Sequence, residues 1–307
     1  MLEVRPEEKE LSLGILGCVR ICASDGWNSV ASEKVRSVLG LLAVRIGSVV
    51  SADELIDELW ADGPPDKARN ALQANVTRLR RQLTTAKNRI ATPMSIRTVG
   101  GGYLLDIPTA AIDAHRFVDL IVSGSRMSLT TPEAALGVLR SGLDLWQGPA
   151  LFDAGQGLRV RAAAAHLEEW RLTGWQELIV AQLVVGDVRS ALSQLMLLAS
   201  RYPNRERLTE LLIAALYLSG RQTEAVAEFH RQRRYLDAEL GIQPSPGLTA
   251  VYGQIIRGQT DVQALLRRER PTGAAAIVVE PPPMIVGPQM VDAAVGATEL
   301  AALKGCW

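Results

Sequence analysis

"AQLVVGDVRSALSQL" and "AALYLSGRQTEAVAEF" repeat one pattern at a fixed offset. Ala181 aligns with Ala215, Gly186 with Gly220, Ala191 with Ala225 and Leu195 with Phe229, each pair 34 residues apart. A period of this length belongs to a helix pair that cannot bury its apolar face alone and must stack on neighbours. Small Ala at the crossing points lets the two helices approach, and Gly ends the first of them. The surrounding sequence agrees, being Ala/Leu-rich from Asp113 onward. Thr131 and Pro132 suit the N-cap and first position of one helix, and a long helix is predicted from about Leu158 to Val185. The C-terminal half is therefore predicted to be an all-α, tetratricopeptide-like stack, a form that offers concave surfaces to protein partners.

The first hundred residues follow other rules. "LSLGILGCVRIC", residues 11–22, is short, apolar and interrupted by Gly, which suits strands joined by tight turns. Val35, Val38, Leu39, Leu42 and Ile46 then recur at helical spacing, predicting a helix that ends near Gly47. "SADELIDELW" opens with a capping box, Ser51 with Glu54, and a short second helix follows. "ADGPP" breaks the chain, with Pro64 and Pro65 in the loop and first turn of a third helix. On that helix Leu72, Val76, Leu79 and Leu83 form the buried stripe. The opposite face carries Asn70, Gln73, Ala74, Thr77, Arg78 and Arg81. "SIRTVGGGYLLDI" then reads as a β-hairpin turning on glycines. Helix, turn, exposed helix and hairpin is the order of a winged helix-turn-helix. With its own apolar stripes, residues 1–107 are expected to fold as an isolated fragment.

Charge singles out the third helix. The whole chain balances 33 Lys+Arg against 33 Asp+Glu. From Lys67 to Arg97, however, Lys67, Arg69, Arg78, Arg80, Arg81, Lys87, Arg89 and Arg97 face no acid in the same segment. A merely solvated helix face would more often alternate Glu with Lys. Mixed Asn, Gln, Thr and Arg are the types that hydrogen-bond base edges in a major groove.

Length and composition bound the rest. A chain of 307 residues is comfortable as two domains, and 48% hydrophobic with 21% charged residues is globular. No apolar run approaches the ~18 residues of a membrane helix. The acidic N-terminus lacks the apolar region of a secretory signal. Cys18, Cys22 and Cys306 form no CxxC pair and are expected to be reduced thiols of a cytoplasmic protein. His115, His166 and His230 lie far apart, outside metal-ligand spacings. No nucleophile elbow, P-loop or complete dinucleotide turn occurs, so the chain is not expected to be an enzyme or to hold a metal or cofactor. Trp60, Trp146, Trp170 and Trp175 are expected in apolar cores. From Pro271 the Pro/Ala/Gly/Val-rich sequence, 271–307, is expected to be a disordered tail.

Taken in order, certain segments carry a resemblance. They are "SEKVRSVLGLLAVRIGSVVSADELIDELWADGPPDKARNALQANVTRLRRQL", "GGGYLLDI", "IDAHRF", "LDLWQGPAL", "LEEWRL" and "RYPNRERLTELLIAALYLSGRQTEAVAEFHRQRRYLDAELGIQPSPGL". Over roughly Leu11 to Gly258 the chain resembles the Streptomyces antibiotic regulatory protein (SARP) family of transcriptional activators. The resemblance implies an OmpR-type winged-helix DNA-binding domain over 1–107, like the output domains of two-component regulators. It implies a bacterial transcriptional activation domain, tetratricopeptide-like, over 108–270. It also implies activation of a secondary-metabolite cluster through direct repeats near the −35 element, a side-by-side dimer on DNA, and contact with RNA polymerase holoenzyme including its sigma factor. By position, the recognition helix is Pro65–Leu83 and the wing Ser95–Ile107. Lys34, Lys67, Asn70, Gln73, Thr77, Arg78, Arg80, Arg81 and Arg97 are the implied DNA-binding residues. Arg97 is implied near a minor groove, Lys34 near phosphate, and Arg80 at phosphate or in solvent. Asp62 and Asp66 sit where such domains meet basic sigma-factor surfaces. The residues alone leave one other reading open, a tetratricopeptide adaptor whose basic helix binds protein or RNA.

Overall fold

The computed structural model describes residues 11–23, 26–61, 63–87, 94–259 and 261–266. The expected tail after residue 271 and Cys306 lie outside the described residues. The chain opens with three short antiparallel strands, β1 (Leu13–Gly14), β2 (Arg20–Ala23) and β3 (Gly26–Ser29), in the order β1-β2-β3. The third of these is not legible in the sequence, because a four-residue strand carries too little pattern to declare itself.

Helix α1 (Glu33–Val44) starts at Ser32, whose side chain accepts the Val35 N–H. Strand β4 (Val50–Ser51) leads into α2 (Ala52–Leu59), and the expected Ser51–Glu54 capping box is present in both directions. Helix α3 spans Ala68–Lys87, starting later and ending later than the predicted Pro65–Leu83. The Pro65 carbonyl accepts only a turn bond from Ala68, and the first full helical bond runs from the Ala71 N–H to the Lys67 carbonyl. Both prolines therefore stay in the loop. Strands β5 (Ser95–Val99) and β6 (Gly102–Asp106) form the expected hairpin, with β4 as a third strand in the order β4-β6-β5. Gly100 and Gly101 both have positive φ, +53° and +82°, as a tight two-residue hairpin turn requires. At Gly102 a Cβ would lie 2.4 Å from the Val50 carbonyl oxygen, so only glycine lets β4 approach β6.

The remainder is helical: α4 (Asp113–Met127), α5 (Pro132–Leu143), α6 (Leu158–Val185), α7 (Val188–Arg201), α8 (Glu206–Leu218), α9 (Gln222–Tyr235), α10 (Pro246–Ile256) and α11 (Val262–Leu266). Thr131 is the N-cap of α5 with Pro132 behind it, though its hydroxyl makes no capping bond. The repeat is packed as its spacing demands. Ala181, Ala215, Ala191, Ala225, Leu195 and Phe229 are all buried. Gly186 and Gly220 both end their helices with positive φ, +92° and +79°.

Apolar packing divides the chain elsewhere than the sequence does. One core runs from Leu11 through the winged helix and α4–α5 to Ala181, and the second from Leu172 to Leu266. Helix α6 belongs to both, with Leu167 and Trp170 in the first and Ile179 and Leu183 in the second. The winged-helix half is also tied to the helices by hydrogen bonds. Ser12 N–H donates to the Ala111 carbonyl, and Gln147, Leu151 and Phe152 N–H groups donate to the carbonyls of Leu16, Ile15 and Gly17. The Asp113 carboxylate accepts the Ile15 and Leu16 N–H groups at 2.8 and 3.1 Å. Arg36 pairs with Asp153 at 3.0 Å, and Asp153 also accepts the Val19 N–H. The described part of this half, 11–107, is thus not closed by its own apolar stripes, because β1, β2 and α1 complete their packing on residues 111–181.

Candidate nucleic-acid interface

Helix α3 divides by face as its periodicity predicts. Leu72, Val76, Leu79 and Leu83 are buried, while Asn70, Gln73, Ala74, Thr77, Arg78 and Arg81 are exposed. Asn75 falls between the faces and is buried, its amide donating to the Ala71 carbonyl at 3.0 Å inside the helix. The Thr77 hydroxyl donates to the Gln73 carbonyl at 2.8 Å, which fixes its rotamer and leaves the methyl as its outward group. A methyl beside Gln and Arg can meet a thymine methyl as readily as an amide meets adenine.

Six of the basic residues fall into three groups by partner. Arg78, Lys67 and Arg97 are exposed and make no ion pair among the described residues. Arg69 is neutralised by Asp53 of α2, with 2.8 Å between guanidinium and carboxylate. Arg80 and Lys34 are held by the fold itself. The Arg80 guanidinium donates to the Ile96 carbonyl at 3.0 Å and to the Thr98 hydroxyl at 2.7 Å, and lies 5.9 Å from the Tyr103 ring centroid. It bridges α3 to both strands of the wing, a role in addition to the phosphate contact or solvation expected of it. Lys34 lies 4.2 Å from the Trp60 ring centroid, and its ammonium donates to the Leu59 carbonyl at 3.4 Å. That carbonyl ends α2, where the helix dipole favours a cation.

Arg97 stands on β5 with its side chain exposed while Ile96 beside it is buried, as strand alternation requires. Asp66 is exposed in the loop before α3, and Asp62 lies outside the described residues. The bracing of Arg80 and the neutralisation of Arg69 are invisible in the sequence, since their partners lie 16 to 18 positions away. The net arrangement is one exposed helix face of amide, methyl and guanidinium groups beside a two-stranded wing. That geometry can enter a major groove with the helix and touch the backbone with the wing. Among the described residues no cluster of His, Cys, Asp or Glu could hold a metal ion, and no helix is long and apolar enough to cross a membrane.

Known proteins share this plan. Residues 29–105 match the family model "Transcriptional regulatory protein, C terminal", and residues 112–256 match "Bacterial transcriptional activator domain". The chain is 40% identical over 246 residues to the transcriptional regulator RedD of Streptomyces coelicolor, covering 80% of this chain and 70% of the relative. It is 35% identical over 236 residues to the regulatory protein DnrI of Streptomyces peucetius, covering 75% and 86%. A solved structure of Mycobacterium tuberculosis EmbR, in complex with a low-affinity phosphopeptide, superposes with a TM-score of 0.77 at 30% identity. It covers 84% of this chain and 68% of that one.

Proposed function

The chain belongs to the Streptomyces antibiotic regulatory protein family of transcriptional regulators, and from that premise we propose that it is a sequence-specific activator of a secondary-metabolite gene cluster. In this reading residues 1–107 read DNA, residues 108–270 provide pairing and activation surfaces, and the protein works in the cytoplasm. Two copies lie side by side on direct repeats near the −35 element. The observation that carries the reading is the exposed Asn70–Gln73–Thr77–Arg78–Arg81 face of α3, opposite a fully buried stripe and braced against its wing by Arg80. Direct base readers are Asn70, Gln73, Arg78 and Arg81. Lys67 just precedes that helix, Arg97 stands on β5 and Lys34 at the start of α1, and in this reading all three meet phosphate.

RNA polymerase is the second partner, met through the acidic loop before α3. Asp66 is exposed there, as a contact to a basic sigma-factor surface requires, and Asp62 precedes it in sequence.

Footprinting of the full-length protein on the promoters beside its own gene tests the reading. Two protected half-sites in the same orientation, spaced by about one helical turn, are expected. In-vitro transcription on the same promoter should rise with the protein, and Asp66→Lys should lower transcription more than DNA affinity. Equal affinity for promoter and unrelated duplex would instead mark an adaptor that uses its basic helix for protein or RNA.

A further inference from the structure

Helix α11, Val262–Leu266, has five residues, far fewer than a helix needs to persist by itself in water. The Asp261 carboxylate caps it, accepting the Gln263 and Ala264 N–H groups at 2.9 and 3.3 Å. The rest of its stability comes from what it lies on. Val262, Leu265 and Leu266, at i, i+3 and i+4, share one face. Leu265 and Leu266 are each 1% exposed, and Val262 packs against the second core.

That face rests on α6 and α8. These are the equivalent first helices of the two repeat units, and α10 packs beside α8 in turn. Equivalent helices of stacked pairs line one continuous side of the stack, the kind of surface on which such proteins hold partners. Here α11 lies across it. Two bonds pin the strap at its sides. Gln263 Nε2 donates to the Leu129 carbonyl, between α4 and α5, at 3.3 Å. The Arg207 guanidinium donates to the Leu266 carbonyl at 2.7 Å and pairs with Glu210 at 2.8 Å through its other nitrogen.

The match to the activator-domain family model ends at residue 256, so α11 lies beyond the shared domain whose surface it fills. Gly258, with φ +71°, turns the chain out of α10 before α11 begins. Burial of three apolar side chains and the ordering of a segment of this length are opposing terms of the same order. A segment so balanced opens locally, without unfolding the helices beneath it.

We propose that α6 and α8 form a docking groove for a short amphipathic helix, and that α11 is a releasable strap filling the groove until a partner displaces it. The partner presents apolar residues at i, i+3 and i+4, the helix-in-groove spacing that Val262, Leu265 and Leu266 already satisfy. This groove is separate from the DNA-reading face of α3, so the proposal goes beyond DNA binding and stands or falls without it.

A fluorescein-labelled, amidated peptide of residues 257–266 tests it on the full-length protein by fluorescence anisotropy. Wild type should bind the peptide weakly, because its own strap competes at an effective concentration of order millimolar. Leu265→Asp/Leu266→Asp expels the strap and should bind the peptide saturably, at least tenfold more tightly than wild type. Asp261→Ala, an exposed change that removes only the cap, should fall between the two. A scrambled peptide of the same composition should bind none of them. Hydrogen exchange reads release in the wild type itself. The Leu265 amide, bonded to the Asp261 carbonyl, should exchange at least tenfold faster than the Ile213 amide within α8. Asp261→Ala should accelerate the first and leave the second unchanged. Equal peptide affinity of wild type and Asp261→Ala, equal affinity for the scrambled sequence, or exchange of Leu265 only together with Ile213 would overturn the proposal.

Discussion

Glu58 Oε1 accepts the Val160 N–H at 2.8 Å, although the two residues are 102 positions apart. Glu58 Oε2 accepts the neighbouring Arg159 N–H at 3.0 Å. A side chain of the winged-helix half thus caps the first turn of α6, where unpaired N–H groups and the helix dipole both favour a carboxylate. The site has no room to spare, since a Cβ at Gly157 would stand 2.0 Å from Glu58 Oε1.

Glu58→Ala should therefore destabilise the protein by roughly 1–2 kcal/mol, the usual range for losing a helix cap. Gly157→Ala should do the same by displacing the carboxylate. Urea denaturation of both variants checks this, and the double variant should cost less than the sum because both act on one contact. Wild-type stability in Gly157→Ala would refute the packing.

Truncation gives a second test. Residues 1–107 lack Asp113, the Ala111 carbonyl and the loop that meets the carbonyls of Ile15, Leu16 and Gly17. The fragment should unfold without a cooperative transition, whereas 1–266 should melt cooperatively. Near-ultraviolet circular dichroism during heating distinguishes them. A sharp melt of 1–107 would show that its own stripes suffice.

On DNA, Gln73→Ala and Arg81→Ala should each cost about 1–3 kcal/mol at the cognate site and relax preference at one base position. Gln73→Ala should leave the melting temperature unchanged, because that side chain is exposed. Neutralising Arg97 or Lys67 should weaken all sequences alike and flatten the salt slope by ~0.9 log units per phosphate contact. Gel-shift titrations at several salt concentrations measure both effects.

Arg80→Ala should behave differently from Arg78→Ala. Losing Arg80 frees the Thr98 hydroxyl and the Ile96 carbonyl, so wing and helix lose their fixed relation. Hydrogen exchange in β5 should accelerate in Arg80→Ala and stay unchanged in Arg78→Ala. Unchanged exchange in both would remove the brace from the account.

Stability should carry an unusual pH signature. Burial pushes the Asp113 carboxyl up to about 6, with the Ile15 and Leu16 N–H groups opposing the rise. Burial pulls His115 down to about 4. The folded chain holds the Asp113 proton more tightly than the unfolded chain, so that stabilisation is full below about 4 and is lost as pH rises through 6. For His115 the unfolded chain holds the proton more tightly, so its stabilisation is full above about 6.5 and is lost as pH falls toward 4. The two oppose one another across the same window. Relative to wild type, Asp113→Asn should lose stability on acidification from pH 6.5 to 4, and His115→Gln should gain it, each by roughly 2–3 kcal/mol. Guanidinium titrations across that range measure the slopes, and parallel slopes for all three proteins would contradict the assignment.

Local rules were legible in the sequence wherever cause and effect sit within one or two helical turns. The Ser51–Glu54 capping box, the Gly100–Gly101 turn, the span of α6 and the 34-residue repeat depend only on near neighbours, and all appear as read. So does the division of α3 into a buried Leu72–Val76–Leu79–Leu83 stripe and an exposed Gln73–Arg81 face, because helix geometry alone fixes which residues share a side. Its ends were less legible, since Pro65 permits either a loop or a first turn and the surrounding packing chooses.

What only the tertiary structure decided is which charges are spent and where the cores close. Arg69, Arg78 and Arg80 look equivalent as letters, yet one is paired with Asp53, one is exposed and one braces the wing. Each outcome depends on a partner that arrives by folding rather than by spacing. The boundary of the first core is decided in the same way. The stripes of residues 11–107 announce that they must be buried but not against what, and apolar burial, being non-directional, takes whichever surface the chain's path brings. Here that surface is α4, α5 and the first half of α6, held in register by Asp113, Asp153 and Glu58.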